Sequence, residues 1–409
     1  MSIVRGHRWK VRLGALGSAL GLAVVAHLPS APLDLPHDGP DLPTIDQVRA
    51  DLRGDPPAQR ASQTWPQLDP QCPEPPHQQP RTSVRELNSF VSSMDLRYGQ
   101  AGDIGVSGAL GDGRLVFVFG DTLRAPDVTP NIVANSMLVL SGRCVSQLLT
   151  REHGPIIPDR SDGVVHWPTT LAVLRGKTQD RIVVFTSRIR RVGGGALSFT
   201  YLGSSTSFFT VPHGGVPRRT RTVDLTPDNE DFQQINWGGA AVVSGRWLYV
   251  YGTQQAGTGR TLYVGRAPVD GLVDRQRWRF WDGTTWSPDA GSAVPVLAKG
   301  DPGVSQALSA DVVDGRFVLV SKEGGDLGNR ISSWTASSPT GPWTIHHGPS
   351  ARFTDADGNL AYAPLAHPEI PLTDGKLLVG VSRNPKELGD LVADSRLGRP
   401  WFTEIDRPG

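Results

Sequence analysis

Cysteine is nearly absent: Cys72 and Cys144 are the only two in 409 residues. That scarcity excludes a disulfide-dense scaffold and a cysteine metal cluster, and it leaves room for a single bridge. Excess charge of either sign is absent as well, with 41 Lys+Arg against 40 Asp+Glu. No net field therefore draws the chain toward nucleic acid, and no basic stripe interleaved with aromatics is present. There is no His-Glu-x-x-His helix and no nucleophile-elbow signature. Nor is there a phosphate loop, because Gly193-Gly194-Gly195 has no helix start after it. Nothing in the sequence implies a metal or a cofactor. Long apolar runs are missing too. The one uncharged stretch near the N-terminus, Leu13–Val25, is short for a full membrane span.

What is present begins with that stretch. Arg5, Arg8, Lys10 and Arg12 precede it and Val24-Val25-Ala26 ends it. A basic segment, a short apolar segment and a small residue describe a secretory signal. Residues 1–28 are thus expected to be a signal peptide or an uncleaved anchor, which would be the chain's one tie to a membrane. The protein would be exported: secreted, periplasmic or wall-associated. Residues 29–84 are rich in proline (Pro56-Pro57, Pro73, Pro75-Pro76, Pro80) and read as a linker and lead-in. In an exported chain Cys72 and Cys144 are expected to form a disulfide that ties this lead-in to early β-structure. The other reading is two buried thiols.

With 47 Gly and 34 Pro, the chain has the turns an all-β fold needs. Five times a turn is followed by a basic residue and an apolar, strand-forming run. The copies are Asp112-Gly113-Arg114, Asp180-Arg181, Ser244-Gly245-Arg246, Asp314-Gly315-Arg316 and Asp374-Gly375-Lys376. Asp-Gly and Ser-Gly between apolar runs are hairpin turns, since glycine tolerates positive φ. The basic residues recur at spacings of 67, 65, 70 and 60, and each copy has an apolar or small-residue segment before it. Repeats of that length, each a hairpin with room for two further strands, predict a five-bladed β-propeller over residues 85–409. A sandwich or solenoid is the competing architecture. Arg85–Tyr98 or Trp401–Ile405 is expected to supply the closing strand.

Equivalent positions in the repeats can be compared. Seven residues past each basic residue stand Asp121, Arg188, Thr253, Glu323 and Arg383; near the starts of the inner strands stand Asp103, Trp167, Trp237, Gln306 and Tyr362. Asp103 and Asp121 are nearly equidistant from the Asp112-Gly113 turn, so an antiparallel hairpin brings them together. Two adjacent carboxylates whose proton affinities are driven apart suit glycoside hydrolysis, one as acid and one as base or nucleophile. Capping of turns beside glycine is the plainer use of such aspartates. Glu323, Arg188, Arg383 and Asn384 are candidates for holding substrate, and Trp167, Trp237 and Tyr362 for stacking on sugar rings. Those aromatics equally suit packing between blades. His166 and His367 are isolated and read as structural.

Gly102-Asp103-Ile104-Gly105 and Phe117-Val118-Phe119-Gly120-Asp121-Thr122, with the hairpin between them, resemble the family called domain of unknown function 4185. Part of that family is classed as glycoside hydrolase family 183. The resemblance runs from about Arg85 to Ile405, with its specific motifs in the first repeat. It implies an endo-D-arabinanase acting on arabinan of arabinogalactan or lipoarabinomannan, with Asp103 and Asp121 as the catalytic pair. The family often has Thr before the first aspartate, where this chain has Ala101-Gly102. The rival functions are a non-catalytic propeller that binds wall glycan or a protein partner, and a sialidase-like hydrolase whose arginines clamp a carboxylate.

Overall fold

The turns marked by glycine do close hairpins. Gly113, Gly245, Gly315 and Gly375 all have positive φ, and the strands on either side of the first three pair directly across them. The computed structural model describes residues 65–75, 79–192, 199–257, 259–297 and 302–408. The expected export signal, most of the proline-rich lead-in and the Gly193–Gly195 run lie outside those residues.

The described chain is all-β apart from short helices. Its first part supplies β1 (Gln67–Asp69), β2 (Ala101–Gly102), β3 (Val106–Ala109), β4 (Leu115–Phe119), β5 (Thr122–Leu123), β6 (Ile132–Val133), β7 (Ser136–Ser141) and β8 (Cys144–Leu149). These make a sheet in the order β3-β4-β7-β8-β1 and a small ribbon β2-β5-β6. The second sheet follows as β9 (Val165–Leu174), β10 (Gln179–Arg191), β11 (Phe199–Pro212) and β12 (Arg218–Asp224). The third is β13 (Asn236–Ser244), β14 (Trp247–Ala256), β15 (Gly259–Pro268), β16 (Arg279–Trp281) and β17 (Trp286–Ser287). The fourth is β18 (Ser309–Val313), β19 (Arg316–Lys322), β20 (Arg330–Ala336) and β21 (Thr344–Ser350). The last is β22 (Leu360–Ala366), β23 (Leu377–Asn384) and β24 (Trp401–Ile405). Every pairing is antiparallel between strands, and the second strand of each sheet is the run after a repeated turn.

The apolar runs bury both faces, so the core lies between sheets. One cluster joins Val116 and Val118 of the first sheet to Ile182 and Val184 of the second. The next joins Val183 and Phe185 to Leu248 and Val250. Tyr251 and Val264 then meet Leu319 and Trp334, and Val318 and Val320 meet Val379 and Val381. A fifth cluster joins Leu378 and Phe402 back to Leu115 and Phe117. Successive sheets thus share cores, and the last shares one with the first.

The last sheet has three strands, and a helix covers its edge. Val84–Ser93 begins with a capping box between Ser83 and Glu86. Its Asn88 donates from Nδ2 to the Phe402 carbonyl at 2.9 Å and accepts from the Phe402 amide at 2.8 Å. A side-chain amide here does what a neighbouring strand would do for β24. Trp401–Ile405 therefore forms a strand as expected, whereas Arg85–Tyr98 contributes helix. Cys72 and Cys144 are bonded, which joins the lead-in to the start of β8.

Candidate active site

Two short ladders in the same register frame the site. Ala101 and Gly102 pair with Leu123 and Thr122, and four residues further along Val106 pairs with Val118. Asp103 and Asp121 fall between these ladders and stand opposite each other. The strand is interrupted there: Ile104 and Gly105 both have φ of 67°, and the Asp103 carbonyl accepts from Gly105 N at 2.9 Å and Gly120 N at 3.0 Å. A left-handed conformation is strained for a β-branched residue. The Ser382 hydroxyl helps hold it by accepting from Ile104 N at 2.9 Å. Ala363, beside Tyr362, is also left-handed, with φ of 46°, and lines the same cavity as Ile104. Strain of this kind gathers where side chains must be aimed.

The two carboxylates, both more than nine-tenths buried, have unlike partners. Asp103 Oδ2 accepts from the Tyr362 hydroxyl at 3.0 Å, and Asn384 donates to that same hydroxyl at 2.5 Å. Asp121 Oδ1 accepts twice, from Arg191 Nη2 at 2.7 Å and Trp167 Nε1 at 3.0 Å. Its Oδ2 is buried with no hydrogen-bond partner among the described residues. Arg191 also lies 5.5 Å from the centre of the Trp167 ring. Asp103, Asp121 and Asn384 line a cavity of about 20 Å³. Asp103, Trp167, Ser187, Gln306, Asp326 and Tyr362 line an adjoining one of about 40 Å³. A cavity of that size holds one or two waters.

The site therefore gathers Asp103, Asp121, Trp167, Tyr362 and Asn384 of the candidates named from sequence. Trp237 lies elsewhere, 4.9 Å from Phe280 in the core between the second and third sheets. Arg188 has no exposed surface. It pairs with Asp224 and Asp228 and donates to the Ser204 and Thr226 carbonyls, so its donors serve its own sheet. Arg383 sits on β23 opposite Ala361, and burial lowers its pKa. Glu323 accepts from Ser332 Oγ at 2.7 Å and pairs with His347 at 2.8 Å, in a separate open groove. Burial pushes its pKa up, but those two partners outweigh that and hold it below the usual range. His166 is buried against Thr186 and its pKa is pushed down to about 4, mainly by burial. His367 packs on Phe117 and Phe402 beside Ser107.

Two residues of the site were not anticipated. Arg191 closes β10, five residues past the stretch Ile182–Thr186 that reads as strand. Asp326 accepts from Gln306 N at 2.8 Å and Arg260 Nε at 3.2 Å. The seven-residue offset pointed to Glu323, three residues short of it. Asp326 stands next to Gly325, and a carboxylate beside a glycine pair was its one signal. Among the described residues no group of three or more His, Cys, Asp or Glu is placed to hold a metal ion.

The family model described as "Domain of unknown function (DUF5005)" matches residues 86–406. The chain belongs to this family. No curated protein matches it in sequence. Among solved structures, the DUF5005 chain is similar to a "putative hydrolase" from Bacteroides ovatus, with a TM-score of 0.60 at 13% identity, over 83% of this chain and 93% of the other. Likeness to an endo-arabinase from Bacteroides thetaiotaomicron has a TM-score of 0.43 at 12% identity, over 77% and 95%. For the catalytic domain of an α-L-arabinofuranosidase from Coprinopsis cinerea the values are 0.40 and 11%, over 81% and 94%. At such identities the first of these speaks for the fold alone.

Electrostatics separate the two aspartates of the DUF5005 site. Burial raises the Asp121 pKa to about 6, against the pull of Arg191 and the Trp167 N–H. Burial and the charge of Asp103 hold the Tyr362 hydroxyl well above its ordinary range, so it keeps its proton and donates. Asp121 is thus set to carry a proton in mildly acidic solution, while Asp103 accepts a hydrogen bond from a protonated phenol.

Proposed function

We propose that this DUF5005 protein is an exported glycoside hydrolase built as a five-bladed β-propeller, with residues 85–409 as its catalytic domain. What supports this most directly is Asp103 opposite Asp121 at one cavity, with unlike hydrogen-bond partners and with burial raising the Asp121 pKa. Asp121, with its raised pKa and one bare oxygen, acts as the acid that protonates the leaving oxygen. Asp103, held by Tyr362, acts as the base on water or as the nucleophile. Asp326, paired with Arg260, adds a third carboxyl group to the cavity lined by Asp103. The disulfide fits an oxidising, extracytoplasmic setting, and no described helix is long and apolar enough to cross a membrane. The resemblance of the first hairpin to endo-D-arabinanases makes D-arabinan of the cell envelope the substrate to test first.

The test is product analysis after the purified protein meets arabinogalactan, lipoarabinomannan, plant arabinan and unrelated glycans. Asp103→Asn and Asp121→Asn keep shape while removing proton transfer, so turnover should fall by roughly two or more orders of magnitude with little change in binding. Binding of a glycan without cleavage at any pH would leave a lectin-like propeller in place of an enzyme.

A further inference from the structure

The cavities at Asp103 and Asp121 are large enough for water and too small for a sugar ring, so the bulk of any substrate must lie beyond them. The open groove at Glu323, of about 1020 Å³, has that capacity. It is joined to the site twice. The loop after β19 carries both Asp326, in the cavity, and Glu323, in the groove. Phe353, in the groove wall, packs in a cluster with Ile104, Tyr362 and Ala363 of the catalytic cavity. Arg330 and Arg352 flank the groove, are exposed, and make no side-chain hydrogen bond or ion pair within the described residues. Many arginines of this chain are tied down: Arg114 to Asp112, Arg188 to Asp224 and Asp228, Arg260 to Asp326, Arg407 to Asp314. Two open guanidiniums, a carboxylate oriented by Ser332 and His347, and a partly buried phenyl ring form the mixture that binds sugar hydroxyls and ring faces.

Resting on the hydrolase reading, we propose that this groove is an outer subsite for an extended glycan chain. Arg330 and Arg352 donate to vicinal hydroxyls of residues several sugars from the cut, Glu323 accepts from them, and Phe353 supports a ring face. Long polymers then gain binding that short oligosaccharides cannot, which favours internal over terminal cleavage.

The full chain and its Arg330→Ala/Arg352→Ala double variant would be compared in two assays. Affinity electrophoresis in gels cast with arabinogalactan, lipoarabinomannan or plant arabinan reads binding. Hydrolysis of a length series, from the shortest cleaved oligosaccharide to the polymer, reads catalysis. The double variant should keep its melting temperature and its rate on the shortest substrate. It should lose about a hundredfold or more in kcat/KM on the polymer, as expected for two lost hydrogen bonds from charged groups, and much of its retention in the gel. Retention lost by the variant with no glycan cleaved by either protein would keep the subsite and overturn the hydrolase. Cleavage unchanged at every length, or reduced equally at every length, would overturn the subsite and keep the hydrolase. Absence of both retention and cleavage with all three polymers would overturn both.

Discussion

Asp121 is held through one oxygen only, and its chemistry follows from that. Arg191 and Trp167 both donate to Oδ1, while the pKa near 6 shows burial outweighing them. A general acid must carry its proton, so activity should be present below about pH 6 and decline as pH rises through that value. Arg191→Ala removes a cation that lowers the pKa, so this decline should move upward by about one unit or more. A pH–rate profile that stays put or moves downward would show that Asp121 is not the acid. Gly120 matters in a second way. A Cβ there would lie 2.3 Å from Asp103 Oδ1, and its own φ is not positive, so alanine suits the backbone and collides only with the carboxylate. Gly120→Ala should therefore fold, keep both aspartates, and still lose turnover by roughly two orders of magnitude. Circular dichroism and initial rates on one preparation check this. The aspartate pair was legible in the sequence because hairpin pairing is symmetric about its turn. Arg191 was not, because β10 runs past its apolar stretch into polar residues, and which polar side chain folds back on Asp121 depends on Trp167 of another strand.

At the level of elements, the five repeated turns gave the second strand of every sheet, since a glycine turn next to an apolar run constrains both pairing and register. Equivalent backbone positions did not give equivalent chemistry. Arg188 occupies the place of Asp121 in its own sheet, yet β12 and the segment after it present Asp224 and Asp228, and the guanidinium turns to them. Trp237 occupies the place of Trp167, yet Phe280 draws it into the core. Side-chain direction at such positions is decided by residues of the outer strands and the segments beside them, Asp224 and Asp228 in one sheet and Phe280 in the next. The helix over β24 was hidden for another reason: Asn88 meets a strand 314 residues away, and no local pattern records it. Asn88→Ala leaves the Phe402 amide and carbonyl at a sheet edge without their partners. It should cost about 1–3 kcal/mol of stability by urea unfolding, with faster hydrogen exchange at the Phe402 amide than at Val379. Unchanged exchange there would mean the helix does not cover that edge in solution.

Across the whole molecule the two ends of the described chain fasten the same place. Cys72–Cys144 closes a loop of 72 residues, worth about 4 kcal/mol in a chain-entropy picture. Thr82 bridges to Leu372, and Thr82 N and Thr373 N exchange hydrogen bonds with the Pro371 and Thr82 carbonyls. Arg399 donates to the Gln100, Val91 and Ser92 carbonyls. Ile104, next to Asp103, donates from its amide to Ser382 Oγ. The last sheet is thus the partner of the first, and the candidate site lies against their seam. β24 contributes Phe402 to the cluster shared with the first sheet and Ile405 to the cluster shared with the fourth. Removing Trp401–Gly409 would expose both clusters and free Asn88 and the helix, which exceeds the margin of a typical domain. The expected outcome is a chain without a cooperative melting transition and open to protease throughout. Removing Arg407–Gly409 alone takes away the exposed Arg407–Asp314 pair, worth little, and the buried Pro408, and should lower the melting temperature modestly while leaving activity nearly unchanged. If the longer deletion still melts cooperatively and keeps activity, the seam between the first and last sheets does not hold the site, and Asp103 and Asp121 are fixed by their own hairpin alone.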